Sequence, residues 1–301
     1  MNYFDLQVNG YGGVDFNRDD LSADDLHRAC EKLESDGVGG ILATIITERV
    51  DAMCACLSRL AELRERDELA RRVIAGLHVE GPFISPADGY RGAHPLDAII
   101  PASVDVTNRL LDAGDGLVKL VTLAPECDPG FRATQMLAER GIVVSAGHTD
   151  ATPEQLRGAL DAGLTIFTHL GNGCPMTLHR HDNIIQRALH LRDRLWITFI
   201  ADGVHVPMPA LKNYLDLCGA ERAIVVTDAI APAGLGPGRY TLGRWDLSIG
   251  EDLVARSPDG SHFIGSATTM RRANENLRDM GVNEALCRAL LCDNPRRTIG
   301  L

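Results

Sequence analysis

The 301-residue sequence has no surplus of positive charge: 30 Lys and Arg stand against 41 Asp and Glu, a formal net charge of −11. Nucleic acid is therefore a poor expectation as a partner, because nothing is available to neutralise a run of phosphates. Any anionic substrate must be met by a few local cations. The eight cysteines (Cys30, Cys54, Cys56, Cys127, Cys174, Cys218, Cys287 and Cys292) form no C-x-x-C pair and no zinc-ribbon spacing. The opening MNYFDLQVNG lacks the basic head and apolar stretch of a secretory signal. No apolar run is long enough to cross a membrane. These absences predict a cytoplasmic protein with reduced thiols and no membrane partner. No G-x-G-x-x-G follows the first apolar run, which counts against a dinucleotide site. No linker, low-complexity tract or short repeat marks off a second domain.

What is present is ordinary globular composition, 45% hydrophobic and 24% charged, arranged as alternation. Eight short runs rich in Val, Ile and Leu stand at 3–8, 40–47, 73–79, 117–123, 142–147, 164–169, 196–201 and 223–228. Longer amphipathic stretches lie between them, at 22–37, 50–71, 129–140, 151–163, 184–192 and 207–218. Ser22 and Gly37 are placed to cap the first. Thr152, Pro153 and Gln155 have the spacing of a capping box. Eight strand–helix alternations predict an α/β fold with a parallel sheet, closed as a (β/α)8 TIM barrel. A doubly wound open sheet is the alternative. A Gly/Pro-rich loop and short strand-like pieces form an insertion at about 229–267. C-terminal helices fill 268–301, so that 1–301 reads as one catalytic barrel domain.

Polar residues recur at the ends of the runs: Gln7 and Asn9, Glu80, Glu126, His148, His169, Asp202 with His205, and Asp228. A parallel barrel brings all such ends to one face. A glutamate and two histidines from three strands make a donor set for a divalent cation, and an aspartate from a further strand suits a base beside it. Each is individually also a common loop or turn residue. Their recurrence in the same position after four apolar runs carries the metal-site reading.

The words around these residues are GLHVEGPF (76–83), SAGHTDAT (145–152), THLGNGCP (168–175), IADGVHV (200–206), VTDAIAPAG (226–234) and GSATTM (265–270). In this order they resemble N-acetylglucosamine-6-phosphate deacetylases, metal-dependent barrel hydrolases of the amidohydrolase superfamily. The resemblance implies that Glu80, His148 and His169 hold one divalent metal, zinc first, with iron, manganese or cobalt as alternatives. It implies that Asp228 takes a proton from the metal-bound water and returns one to the departing amine. Ala93 and His94, in RGAH, match positions at the substrate, with His94 placed for the developing oxyanion. Asn172, Gly173, Asp202, His205 and the turn Phe263–Ile264–Gly265 match substrate-lining positions. His205 matches a phosphate contact. Arg180 matches an arginine that reaches the phosphate from the neighbouring subunit, which implies a homodimer. A solvated surface arginine is the plain alternative for Arg180.

The sequence also departs from the family. The small β-sandwich usual in these enzymes is expected to be absent. His179, His181 and Asp182 surround Arg180 where the family has no such cluster. Gly171 replaces a larger residue, and Gly173 an alanine. Two other readings therefore stand beside deacetylation of an amino-sugar 6-phosphate. One is hydrolysis of another N-acyl or cyclic amide, with or without phosphate; the other is a non-catalytic sugar-phosphate-binding barrel. Gln7 and Asn9 stand where many amidohydrolases carry His-x-His for a second metal. Neutral amides are weak ligands, so these positions are expected to be vacant of metal.

Overall fold

The structure is a computed structural model describing residues 1–242, 245–250, 254–256 and 265–301. Eight parallel strands run around a nearly closed barrel: β1 Tyr3–Val8, β2 Val38–Ile46, β3 Ile74–Glu80, β4 Val118–Leu123, β5 Val143–Ala146, β6 Ile166–Phe167, β7 Trp196–Ile200 and β8 Ala223–Val226. Each pairs in parallel with its successor in the chain. A doubly wound sheet would reverse direction at an inner strand; the unbroken order from β1 to β8 excludes it. The ring is drawn together where Val8 bridges Ala229 and the Asn9 amide donates to the Ala229 carbonyl at 2.7 Å.

Helices cover the outside, and the sequence shows why they begin where they do. Ser22 caps Ala23–Ser35 by accepting from the Asp25 amide, and Gly37 follows at φ 84°. Thr152 and Gln155 form the expected capping box on Pro153–Asp161. The stretch expected as one helix at 50–71 is two, Val50–Arg66 and Glu68–Val73, because the Asp67 carboxylate takes the Leu69 and Ala70 amides and starts a new helix. Val104–Ala113 is a helix that the sequence pattern did not announce. Pro95 and Pro101 break the preceding stretch, and the β-branched VDVT start has low helix propensity. After β8 a three-stranded antiparallel sheet (Gly238–Leu242, Trp245–Ile249, Ala255–Arg256) precedes helices Met270–Asp279 and Glu284–Arg288.

Alternation along the strands divides the core in two. Outward residues such as Ala43, Val79, Val121, Val144 and Val225 pack with the helices. Inward residues form a separate cluster, Phe4, Leu6, Leu42, Leu120, Ile166, Ile200, Ile224 and Val226, which fills the floor of the barrel. Each such aliphatic side chain contributes about 1.5–3 kcal/mol by leaving water. Above this floor the interior turns polar. Asp5, Thr44, His78, Thr122, Ser145, Thr168, Thr198 and Thr227, one from each strand or its continuation, are all buried. His78 Nε2 meets Thr122 Oγ1 at 2.8 Å, Thr122 meets Thr168 at 3.1 Å, and Thr168 meets Ser145 at 2.5 Å. Burial holds the His78 imidazole down at about 4, so it is a neutral member of this layer.

Candidate active site

The polar layer supports a mouth at the C-terminal ends of the strands. Glu80 ends β3; His148, His169 and Asp228 each stand two residues beyond β5, β6 and β8. Those last three share a rare backbone state: φ is 51° at His148, 32° at His169 and 52° at Asp228. Left-handed backbone at a non-glycine costs on the order of 1–3 kcal/mol per residue and persists where the fold enforces it. Here it terminates each strand and turns the side chain over the barrel axis.

Glu80, His148 and His169 each offer one ligand atom, and the three atoms lie within 4.8 Å of one another, all buried. It is the one such group among the described residues. His169 Nε2 is 3.1 Å and His148 Nε2 3.3 Å from Glu80 Oε1. His148 Nδ1 lies 2.8 Å from the Tyr90 carbonyl, so the proton sits on Nδ1 and Nε2 presents a lone pair. A lone pair and a carboxylate oxygen facing each other across 3.3 Å call for a cation between them. The donor set therefore fits a divalent metal.

Burial presses the Glu80 carboxyl upward, yet the adjoining His148 and His169 rings outweigh it and hold it well below the usual range. Burial also opposes charge on His169, but the Glu80 carboxylate prevails and raises it. Asp228 is pushed up to about 6 by burial and by the neighbouring Glu80 charge. Its Oδ1 accepts from Asn9 Nδ2 at 2.7 Å and Gln7 Nε2 at 3.1 Å. Gln7 Nε2 also lies 3.1 Å from both Glu80 oxygens. The two amides of β1 thus act as donors joining the carboxylates of β3 and β8.

The other expected site residues fall around this centre. His94 is buried in the loop after β3, with Nε2 3.2 Å from His148 Nε2 and Nδ1 without a protein partner. Burial and then His148 hold it down at about 3, so it is neutral. Ala93 packs against the apolar cluster that includes Ile230. Asn172 turns back on the His169 carbonyl through its backbone amide, 2.9 Å, and its Nδ2, 3.3 Å. Gly173 abuts the His148 ring: a Cβ there would lie 2.8 Å from Nδ1. Asp202 accepts from the Val204 and His205 amides and from His205 Nδ1 at 2.6 Å, which fixes that ring. Gly265 lies beside the Asp228 loop, where the Ser266 amide donates to the Asp228 carbonyl at 3.0 Å. Phe263 and Ile264 lie outside the described residues. Arg180 is exposed and forms no hydrogen bond or ion pair among the described residues.

Glu126 and the cluster around Arg180 have other work. Glu126 accepts from Thr149 Oγ1 and the Asp150 amide, shaping the loop after β5. His179 Nδ1 accepts the Asp182 amide at 2.9 Å, and the Asp182 carboxylate accepts from Arg187 Nε at 2.7 Å. Arg187 also reaches Asp150 at 2.9 Å, tying the loops after β5 and β6 together. The cluster around Arg180 is thus bonded as loop architecture. Sequence reasoning missed Arg187, which looked like one more helix-surface arginine. It also missed the polar layer, although a single polar residue interrupting each apolar run was its signal.

Fold and centre together define a barrel hydrolase of the metal-dependent amidohydrolase type. No family model matches the chain. Known proteins do: the chain is 30% identical over 300 residues to N-acetylgalactosamine-6-phosphate deacetylase of Escherichia coli O157:H7, covering 99% of this chain and 77% of that protein. It is 31% identical over 276 residues to N-acetylglucosamine-6-phosphate deacetylase of Bacillus subtilis (strain 168), covering 91% and 68%. A solved N-acetyl-D-glucosamine-6-phosphate deacetylase of Mycobacterium smegmatis, a mutant in complex with N-acetyl-D-glucosamine-6-phosphate, superposes with a TM-score of 0.89 at 31% identity, covering 100% of this chain and 77% of that one. The chain belongs to the N-acetylglucosamine-6-phosphate deacetylase family, and is an enzyme of that hydrolase type.

Proposed function

We propose that this enzyme hydrolyses the N-acetyl group of an amino-sugar 6-phosphate, N-acetylglucosamine 6-phosphate first, to acetate and the free amine. The reading is carried by one observation: Glu80, His148 and His169 converge as a metal-binding set beside Asp228, a partly buried carboxylate pushed up to about 6. One divalent ion per chain, zinc first, would polarise the acetamide carbonyl and lower the pKa of water. Glu80, His148 and His169 hold that ion. Asp228, oriented by Asn9 and Gln7, accepts a proton from the attacking water and returns one to the sugar nitrogen as the C–N bond breaks. A carboxyl near 6 suits both directions, since it can lose and regain a proton close to neutral pH. His94, neutral and at the rim, donates to the carbonyl oxygen as negative charge develops there.

His205, its ring fixed by Asp202, and the guanidinium of Arg180 are the groups proposed to meet the phosphate. Arg180 is exposed and unbonded among the described residues, which leaves it free to complete the site of a second copy in a homodimer. Asn172, Gly173 and Ala93 line the sugar pocket in this reading. The test is acetate release by metal-loaded protein from N-acetylglucosamine 6-phosphate, its galacto epimer and the two unphosphorylated sugars. Release from the phosphorylated sugars supports the proposal. Release from none of them, in protein carrying metal, rejects it. The galacto epimer belongs in the panel because one relative is named for it.

A further inference from the structure

The register of β1 slips inside the strand. Asp5 pairs with Ile41, and the next partners are Val8 and Ala43. Three steps on β1 are set against two on β2, a local bulge covering Leu6 and Gln7 that takes back the opposite shift below it, where Tyr3 and Phe4 pair with Val38 and Gly40. Bulges re-aim side chains, and they occur beside active sites. Here the consequence is visible: Leu6 belongs to the apolar floor, yet the adjacent Gln7 also reaches inward, to Glu80 and Asp228. Regular alternation would send one of the two outward.

A bulge disturbs backbone pairing, and buried amides need acceptors. The Asp5 side chain meets this need. Its Oδ1 accepts the Gln7 amide at 3.2 Å. Its two oxygens accept the Thr227 amide at 3.3 Å, and Oδ2 accepts the Thr227 hydroxyl at 2.5 Å. Thr227 immediately precedes Asp228, and the described backbone bridge between the first and last strands lies higher, at Val8–Ala229. One buried carboxylate therefore spans the barrel seam at the level of the bulge. It grips the residue that turns Gln7 inward and the residue that carries Asp228.

We infer that Asp5 is a positioning residue for the catalytic centre: it stabilises the bulge that aims Gln7 at Glu80 and Asp228. This rests on the reading of Glu80 as a metal ligand. Asp5 touches no ligand, so its effect passes through Gln7, whose Nε2 donates to both Glu80 oxygens. Outer partners of metal ligands change affinity by about 10–100-fold when lost.

The experiment compares the wild type, Asp5→Ala and Asp5→Asn by amide hydrogen exchange and by equilibrium zinc binding. Asp5→Ala should speed exchange at the Gln7 and Thr227 amides at least about tenfold more than elsewhere in β1 and β8. It should weaken zinc binding by about tenfold. Asp5→Asn, which keeps an acceptor oxygen, should restore most of both. If Asp5→Ala fails to fold, Thr227→Val removes only the hydroxyl donor and should give the same two shifts at smaller size. Uniformly faster exchange along both strands, or zinc affinity within about twofold of the wild type, overturns the inference. A wild type that binds no zinc rejects the metal reading only; the exchange pattern still decides whether Asp5 holds the bulge.

Discussion

The Gln7 side-chain nitrogen lies 3.1 Å from each oxygen of Glu80. An amide donates here, where a ligand would have to accept from nothing and offer a lone pair. Glu80 thus spends its second oxygen on a hydrogen bond from β1. The expected outcome is one tightly bound equivalent of metal per chain, by metal analysis of protein purified without chelator. Two tight equivalents would contradict it. Removing the metal with chelator should abolish acetate release, and zinc should restore it.

Asp228→Asn should lower kcat by at least about 100-fold, since the amide cannot shuttle a proton. Metal content should stay at the wild-type level, because Asp228 lies outside the three-ligand group. Kinetics and metal analysis on one preparation check both parts.

Gly173 stands at φ 59°, and a Cβ would come within 2.8 Å of His148 Nδ1 and 3.1 Å of its Cε1. A Cβ built on Gly92, in another loop, would likewise lie 3.2 Å from Cε1 of the same ring. With space taken on both sides, Gly173→Ala must push the imidazole off its bond to the Tyr90 carbonyl. The variant should bind zinc about tenfold more weakly and lose about 1–2 kcal/mol from the left-handed backbone. Titration with zinc and urea unfolding of the metal-free protein separate the two effects.

Arg180→Ala should raise KM for the phosphorylated sugar and leave the unphosphorylated one unchanged. If the arginine acts across a dimer, mixing Arg180→Ala with Asp228→Asn, assayed with the phosphorylated sugar well below the raised KM, where each alone is nearly inactive, should recover about a quarter of wild-type activity once subunits exchange. No recovery on verified mixed dimers places the arginine in its own subunit's site.

Asp5 gives a pH test of stability. Burial pushes its carboxyl up to about 7, against about 4 in an unfolded chain. Between those values the folded chain holds a proton that the unfolded chain has released. Its contribution is therefore full below about pH 4 and is lost as pH rises through about 7. Asp5→Asn cannot titrate. Metal-free wild type should lose stability relative to this variant between about pH 4 and about pH 7, read by urea unfolding. A difference that is constant with pH would show that Asp5 titrates alike folded and unfolded.

The sequence by itself determined the barrel and the metal group. Eight apolar runs set the strands, because period-two burial against helices and an inner floor needs them wherever they lie. Glu80, His148, His169 and Asp228 were readable because each follows its run directly, and parallel strands bring such ends together. Composition and spacing could not show which way a side chain turns once its strand ends. Glu126 occupies the same kind of position as Glu80, yet it turns to Thr149 and Asp150 and shapes a loop. Only the tertiary structure decided that Gln7 and Leu6, neighbours in β1, both face inward, because a bulge depends on pairing with β2 and on an acceptor at the seam with β8. It decided likewise that Arg187 clamps two loops, and that a buried polar layer lies between the floor and the metal group. Those roles arise from contacts between residues far apart in the chain, and no local pattern encodes them.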